Sequence, residues 1–273
     1  MDRTVAEADG RVSIELEELS RVEVTLVAGD VLVSATPGPS RVEVEWLGGP
    51  ELLVSEEAGV LVVRHDSWPR PGGGGLPRAL VAVQCPPGAS VQSNTVNAST
   101  VVAGMAGQLR TASVSGPVTL SYVGGDVRAR TVSAPVEMEG VSGRLHVATV
   151  SGTVELAGGC LADLRASSAS GDLFLDVELL PSGTCRCSTV SGDLALRVPE
   201  EVGADVEACS VSGRLDVGGR PVRRGGRGMY AQIGETAVDR PRIMLRTVSG
   251  RMTVLPRRTG RNPGGVRTPA VLA

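Results

Sequence analysis

Hydrophobic and polar residues alternate in short runs along most of the chain, the pattern of strands with one buried face. Examples are Val127-Arg-Ala129 and Leu173-Phe-Leu175. A small residue and a glycine often precede such a run, as in Val123-Gly-Gly-Asp-Val127. Glycine suits a corner there because it reaches positive φ without steric cost. No segment shows a helical period, so the pattern predicts an all-β chain with no helices.

The tetrapeptide Ser/Thr-Val-Ser-Gly recurs through the second half of the chain. It occupies 113–116, 149–152, 189–192, 210–213 and 247–250, with near-copies at 95–98, 131–134 and 168–171. Its second residue falls at 96, 114, 132, 150, 169, 190, 211 and 248, so the steps are 18, 18, 18, 19, 21, 21 and 37 residues. A near-constant step indicates a repeat architecture. The last step predicts one degenerate coil or an insertion.

Each repeat contains two similar halves, because a weaker series such as Val141-Ser-Gly-Arg-Leu145 lies midway between the tetrapeptides. Two strands and two corners per repeat predict a two-sided β-solenoid, β-helix-like, with coils of about 18–21 residues. Coils stacked about 4.8 Å apart place equivalent residues above one another. The predicted inner columns are Val118, Val136, Val154, Leu173, Leu194 and Leu215 on one wall, and Leu109, Val127, Leu145, Leu164, Cys185 and Val206 on the other.

Repeat quality divides the chain into three parts. Residues 1–88 alternate less regularly and predict irregular N-terminal β coils that cap the solenoid, since terminal repeats are usually atypical. Residues 89–255 carry the regular repeats, with a Gly/Arg-rich loop near 218–228. Residues 256–273 are rich in Arg, Pro and Gly and predict a flexible tail.

Composition narrows the class of protein. The 273 residues include 36 Gly but only two Trp, two Tyr and one Phe, as expected for an interior too thin for large rings. An apolar content of 41% and a net charge of −3 exclude a disordered chain and a generally basic nucleic-acid binder. No uninterrupted apolar stretch of about 20 residues exists, so we expect no membrane span.

Five cysteines are an odd number, and the first ten residues lack the apolar segment of a signal peptide. We therefore expect reduced thiols and a cytoplasmic location. Cys185 and Cys187 point to the same side of one strand, where their spacing does not suit a disulfide, and no Cys-x-x-Cys pair completes a zinc set. Small buried hydrophobic side chains are the expected role of both.

The Val-Ser-Gly-x-Val/Leu-x-Leu units resemble a bacterial β-strand-repeat family of unknown function that is often labelled "putative adhesin". The resemblance covers roughly Val22 to Leu255. It implies a β-solenoid and carries no active-site residues to this chain. It also implies that many relatives are exported or attached to a membrane.

Catalytic and metal sites are weakly supported by the sequence. Asp172 and Asp193 fall one coil apart, but a glycosidase needs carboxylates across a cleft, and aromatic residues for stacking on sugars are scarce. Asp126, Asp163 and Asp205 share a corner position that could suggest calcium, yet Arg144 and Thr184 interrupt the series. We expect no enzyme activity, no cofactor and no metal.

The outward positions segregate charge between the two predicted walls. The wall before the tetrapeptide carries Arg110, Arg128, Arg130, His146, Arg165 and Arg186, then Glu207. The wall after it carries Glu137, Glu139, Glu155, Asp176 and Asp216, with Arg197 as the exception. The six basic-wall residues form a candidate interaction surface for an acidic protein partner or for self-association, although solvated surface charge is the simpler explanation.

The sequence thus favours a non-enzymatic scaffold or protein-interaction surface. An adhesin-like cell-surface protein is the alternative, and a polysaccharide-acting β-helix enzyme is a third.

Overall fold

The chain folds entirely into β-strands and turns wherever its structure is defined. The computed structural model describes residues 10–17, 19–48, 52–65, 78–200, 203–218, 220–221, 229–233 and 239–257. No helix occurs among these residues, and so none that could cross a membrane. Residues 1–9, most of the predicted 218–228 loop, and residues 258–273 of the predicted tail lie outside the described part of the chain.

Twenty-one strands make up the described structure. The N-terminal strands are β1 (Arg11–Leu16), β2 (Arg21–Ala35), β3 (Ser40–Gly48), β4 (Leu52–Glu57), β5 (Val60–His65) and β6 (Arg78–Cys85). The middle strands are β7 (Ser90–Ala103), β8 (Leu109–Ser113), β9 (Val118–Ser121), β10 (Asp126–Thr131), β11 (Val136–Glu139), β12 (Ser142–Thr149), β13 (Val154–Ser168), β14 (Leu173–Thr189) and β15 (Leu194–Pro199). The C-terminal strands are β16 (Ala204–Ser210), β17 (Leu215–Val217), β18 (Arg220–Pro221), β19 (Met229–Ile233), β20 (Arg242–Thr247) and β21 (Met252–Arg257).

Parallel pairing stacks the repeats in two ladders. In the first ladder Val127 lies between Leu109 and Leu145, each one sequence repeat away. In the second ladder Val136 lies between Val118 and Val154, which are again one repeat before and one repeat after it. Paired residues of neighbouring strands are therefore one sequence repeat apart. The predicted inner columns are confirmed as far as Cys185 and Leu194.

The last coils are not stacked in sequence order. Met252 lies between Leu194 and Leu215, and Ile243 lies between Cys185 and Val206. The strands β20 and β21 are thus inserted between β14–β15 and β16–β17. The prediction that Leu215 stacks directly on Leu194, and Val206 on Cys185, is wrong. Because the repeats at 189–192, 210–213 and 247–250 all carry the tetrapeptide, the local pattern does not reveal this order.

The last and longest step of the repeat, between Val211 and Val248, is the segment that precedes the inserted strands. After β17 the chain forms β18, antiparallel to β17, and β19, antiparallel to the outer side of β16. It then returns to enter between the two earlier coils as β20 and β21. The last strand ends at Arg257, inside the segment whose sequence predicts a tail.

A third, short ladder joins the corners between the two main ladders. Gly159, Cys160 and Leu161 pair with Val177, Glu178 and Leu179. The corner side chains Val123, Val141, Leu161 and Leu179 are all buried. The same ladder extends to Ser142 and Gly143, which pair with Cys160 and Leu161.

The N-terminal region also stacks out of sequence order. The long strand β2 pairs with β7 on one side and with β5 and β6 on its other side. The antiparallel strands β4 and β3 continue outward from β5 and β6, and β1 lies antiparallel beside β3. Residues 10–65 and 78–85 therefore form an irregular end to the stack.

The core consists of Val and Leu columns between the ladders. Val136, Leu173 and Leu194 are 0–1% exposed. The described aromatic residues all lie outside the core, with 41–67% exposure for Trp46, Tyr122, Phe174 and Tyr230. A core of aliphatic columns accounts for the scarcity of aromatic residues.

Candidate interaction surface

Five of the six predicted surface residues form one row on the first ladder. The parallel register places Arg110, Arg128, His146, Arg165 and Arg186 at the same position of successive strands. We call these residues the basic row. Their side chains follow one another at about 4.8 Å intervals because strand spacing fixes the distance. The sixth residue, Arg130, lies in the next outward row between Ala112 and Ala148.

Carboxylates next to the basic row neutralise part of its charge. Asp126 lies 3.0 Å from Arg128, and Asp163 lies 3.1 Å from Arg165 and 3.5 Å from Arg186. Thr184 also donates a hydrogen bond to Asp163. The corner aspartates that could suggest calcium are therefore partners of arginine. Within the described ranges, Arg110 and Arg130 form no ion pair, in contrast to Arg128, Arg165 and Arg186.

His146 lies in the middle of the basic row and is half-buried. Burial lowers the pKa of His146, and the positive charges of Arg130, Arg165 and Arg128 lower it further, against an opposing effect of Asp163. His146 is therefore neutral at pH 7 and contributes no charge to the row.

The second ladder carries a weaker acidic row. Glu137 and Glu155 are register neighbours with exposed side chains. They line an open groove of about 420 Å³ together with Phe174. Glu139 accepts a hydrogen bond from the Tyr122 hydroxyl, which raises the pKa of Tyr122. The walls are less polarised than the sequence indicates, because some of their charges have partners.

Asp176 on this second ladder is compensated by two arginines. Its carboxylate lies 2.8 Å from Arg257 and 3.8 Å from Arg197. The sequence predicts Arg197 as the one cation on this wall. Its ion pair with Asp176 forms because the two residues are paired on the neighbouring strands β14 and β15. Arg257 comes from the inserted β21, which local sequence does not place here.

The Ser/Thr-Val-Ser-Gly turn has a structural role for three of its four residues. The Thr149 and Thr189 hydroxyls accept hydrogen bonds from the amides of Gly152 and Gly192. The turn serine donates its hydroxyl to the carbonyl of the preceding coil, as Ser151 does to Val132 at 3.3 Å. The glycine permits close approach, since a Cβ at Gly152 would lie 1.9 Å from the Ala134 carbonyl oxygen.

The valine of this turn is exposed in coil after coil, a feature that the sequence reasoning missed. Exposure is 45% at Val114, 46% at Val132, 51% at Val150 and 53% at Val190. The serine amide of each turn donates to the carbonyl of this residue in the neighbouring repeat, so these residues form one column, interrupted by Ala169 between Val150 and Val190. We call this column the valine ridge: Val96, Val114, Val132, Val150, Val190, Val248 and Val211. A valine repeated at a turn, where polar residues are usual, is the sequence signal that could have revealed it.

The candidate carboxylates Asp172 and Asp193 accept hydrogen bonds from backbone amides. Asp172 accepts a hydrogen bond from the amide of Asp193, and Asp193 accepts one from the amide of Arg251. These contacts hold successive coils together. No group of three or more His, Cys, Asp or Glu side chains that could hold a metal ion occurs in the described part of the chain.

The cysteines divide by exposure. Cys85, Cys185 and Cys187 are buried, whereas Cys160 and Cys209 are exposed, and none forms a disulfide. The sulfur atoms of Cys185 and Cys187 lie 3.5 Å apart. Burial raises the pKa of Cys85 to about 11, and the hydrogen bond with Cys187 together with burial raises that of Cys185. Both thiols are therefore protonated and unreactive at neutral pH.

Comparison with known proteins gives one family match. A family model described as Toastrack DUF4097 matches residues 83–255. No curated protein matches the chain at a significant level.

Several solved structures resemble the fold at low identity. The "Putative lipid binding protein" from Parabacteroides distasonis is 12% identical, with 91% of this chain and 98% of that chain covered and a TM-score of 0.48. The "putative adhesin" from Bacteroides fragilis is 8% identical, with 91% and 98% covered and a TM-score of 0.40. The "putative cell adhesion protein" from Clostridium sporogenes is 10% identical, with 90% and 99% covered and a TM-score of 0.25. At these values the likeness carries no information about function.

Proposed function

We propose that this chain, which belongs to the Toastrack DUF4097 family, is a non-enzymatic β-solenoid scaffold that binds an acidic protein partner or a second copy of itself. The two parallel ladders are the walls of the solenoid, each repeat contributes one coil, and the corner ladder is a short third side. The family is one of unknown function, so the proposal depends on the surface of this chain.

The observation that carries the proposal is the register of the basic row. Parallel pairing holds Arg110, Arg128, Arg165 and Arg186 on one rigid wall at positions set by the backbone. A partner that aligns carboxylates with this row therefore meets cations whose backbone positions are already fixed. Because these positions are fixed before binding, less conformational entropy is lost when the partner binds.

The acidic row supplies a surface of the opposite sign on the same molecule. If the basic row of one copy contacts Glu137 and Glu155 of another, the contact is heterologous and can extend into open chains. Either interaction is electrostatic between exposed groups, so it weakens as salt shortens the Debye length, about 8 Å at physiological ionic strength.

The first prediction tests this surface by removing its charge. A variant with Arg128→Gln, Arg165→Gln and Arg186→Gln should remain folded, because exposed ion pairs contribute about 0–1 kcal/mol each. It should lose partner capture and self-association that the wild type shows at low salt. Sedimentation velocity and pull-down from the native host, at low and high salt, measure both.

A second variant separates the two kinds of partner. Glu137→Gln with Glu155→Gln should abolish self-association but leave binding of an acidic partner unchanged. If wild type and both variants show the same mass and the same captured proteins at every salt concentration, the proposal is wrong and the charges are solvated surface.

We also propose a cytoplasmic location. The buried thiols of Cys85, Cys185 and Cys187 support it, because they pack as hydrophobic side chains without a disulfide. Fractionation of the native host should place the protein in the soluble fraction. Recovery at the cell surface would instead support the adhesin-like alternative.

A further inference from the structure

A second surface feature, separate from the basic row, is an apolar groove beside one end of the valine ridge. It encloses about 400 Å³ and is lined by Leu26, Val27, Val96, Ala112, Val114 and Val132, among others. We call it the valine groove. Among the described residues, no Asp or Glu lines it, whereas Arg130 and His65 do. Its volume lies within the range of about 300–1,000 Å³ that is usual for ligand pockets.

The fold does not require the apolar side chains that form one side of the groove. The hydroxyl residue closes the turn, the serine bonds to the neighbouring repeat and the glycine permits close approach, whereas the valine side chain is exposed. Ala169 occupies the same turn position in another coil, and the Ser191 amide still donates to its carbonyl. The turn therefore forms without valine. Val114 and Val132 nevertheless leave apolar surface exposed beside Ala112, and contiguous exposed apolar surface is typical of binding sites.

Arg130 gives this apolar surface one fixed cation. No carboxylate lies within ion-pair distance of its guanidinium in the described part of the chain, in contrast to Arg128, which contacts Asp126 at 3.0 Å. Its row neighbours Ala112 and Ala148 are too short to cover it.

We propose that the valine groove binds a long-chain carboxylate, with the acyl chain against Val96, Val114 and Val132 and the carboxylate on Arg130. A guanidinium binds a carboxylate through two parallel hydrogen bonds. One arginine beside the apolar side chains of the groove matches a ligand with one anionic head and an apolar tail. The groove does not include the arginines at 128, 165 and 186, so this inference does not depend on the proposed scaffold function.

Calorimetric titration of the full chain with dodecanoate, below its critical micelle concentration, tests the site. We expect saturable binding with a stoichiometry of one, and binding of dodecanol at least about tenfold weaker, since a charge-assisted hydrogen bond is lost. Arg130→Gln should weaken dodecanoate binding by at least about tenfold. Ala112→Leu, which fills the groove with an outward side chain, should weaken dodecanoate and dodecanol alike.

The matched control is Arg110→Gln. Among the residues that the structure describes, Arg110 forms no ion pair, and it lies on the same wall without lining the groove, so its removal should leave the affinity unchanged. The variant Arg128→Gln, Arg165→Gln, Arg186→Gln should also keep dodecanoate binding, which distinguishes a failure of the scaffold function from a failure of this site. Circular dichroism melting confirms that each variant is folded.

Four results would overturn the proposal: no saturable binding; equal affinities for dodecanoate and dodecanol; equal losses at Arg130 and Arg110; or binding to vesicles of phosphatidylglycerol without binding to monomeric dodecanoate. The third would indicate a diffuse electrostatic interaction. The fourth would indicate an anionic membrane surface as the ligand.

Discussion

Leu173 and Phe174 are neighbours in β14 with opposite environments, fully buried and 43% exposed. Successive side chains of a strand point to opposite faces, so substitutions at two adjacent positions test which face is buried. Leu173→Ala should lower the free energy of unfolding by about 2–5 kcal/mol because it leaves a cavity between stacked Leu and Val residues. Phe174→Ala should change it by about 0.5 kcal/mol or less. Urea unfolding of both variants measures the difference, and equal losses would show that the register is wrong.

His146 should make the folded state sensitive to mild acid. Its folded-state pKa lies below the ordinary value of about 6.5 because of burial and the charges of Arg130, Arg165 and Arg128, against Asp163. The unfolded state therefore binds more protons in the window between the folded-state pKa and about 6.5. Stability should fall as pH decreases through that window and lose nothing further from this group below it.

His146→Gln removes that titration. Urea unfolding between pH 7.5 and 5 should show a smaller decline for the variant than for the wild type, with the two curves parallel above pH 7. A variant that declines as steeply as the wild type would assign the acid sensitivity to other groups.

The tetrapeptide turn acts at the scale of an element, since it fixes each turn and joins it to the next coil. Thr189 is buried and accepts a hydrogen bond from the Gly192 amide at 3.0 Å, whereas Ser191 is exposed and donates to Ala169 at 3.4 Å. Thr189→Val should destabilise the protein by about 1–3 kcal/mol, because it leaves a buried amide without a partner. Ser191→Ala should cost about 0.5 kcal/mol or less.

Thermal and urea unfolding of these two variants give the comparison. Equal and small effects would mean that the turn is held by side-chain stacking and that its hydroxyl residue is dispensable. Val190, which lies between these two residues in the valine ridge, has a side chain that makes no hydrogen bond in the turn.

At the scale of the whole molecule, the insertion of β20 and β21 makes the stability of the C-terminal end depend on its last strands. These strands pair with β14 and β15 on one side and with β16 and β17 on the other. Deleting residues 203–238 leaves β20 and β21 on β14 and β15 and gives a connection similar in length to the natural one after Pro199. Deleting residues 239–273 removes strands from the middle of the stack.

We expect the internal deletion to keep a single cooperative melting transition and the C-terminal deletion to melt earlier or in two steps. Repeat stacks derive stability from contacts between neighbours, and only the second deletion separates coils that remain. If both variants melt alike, the β16–β17 coil can occupy the place of β20 and β21, and chain connectivity alone sets the order.

The sequence by itself determined the strands of the repeats, their register as far as Cys185 and Leu194, and the composition of the core. Alternation and a constant repeat step are local and periodic properties, and parallel stacking converts them directly into columns such as Val118, Val136 and Val154. The placement of the basic row follows from the same periodicity. These features need no knowledge of which coil is adjacent, because all coils are alike.

Tertiary structure decided the features for which a periodic sequence allows several equivalent arrangements. The order of the terminal coils depends on which strand edge each coil pairs with. These edges are similar, and the repeated turn can pack against any of them. The pairing of Asp163 with Arg186, the contact of Arg257 with Asp176, and the valine groove depend on that order or on side chains from separate coils. The exposed valine ridge escaped the sequence reasoning because hydrophobicity usually signals burial, while a tight turn directs this side chain into solvent.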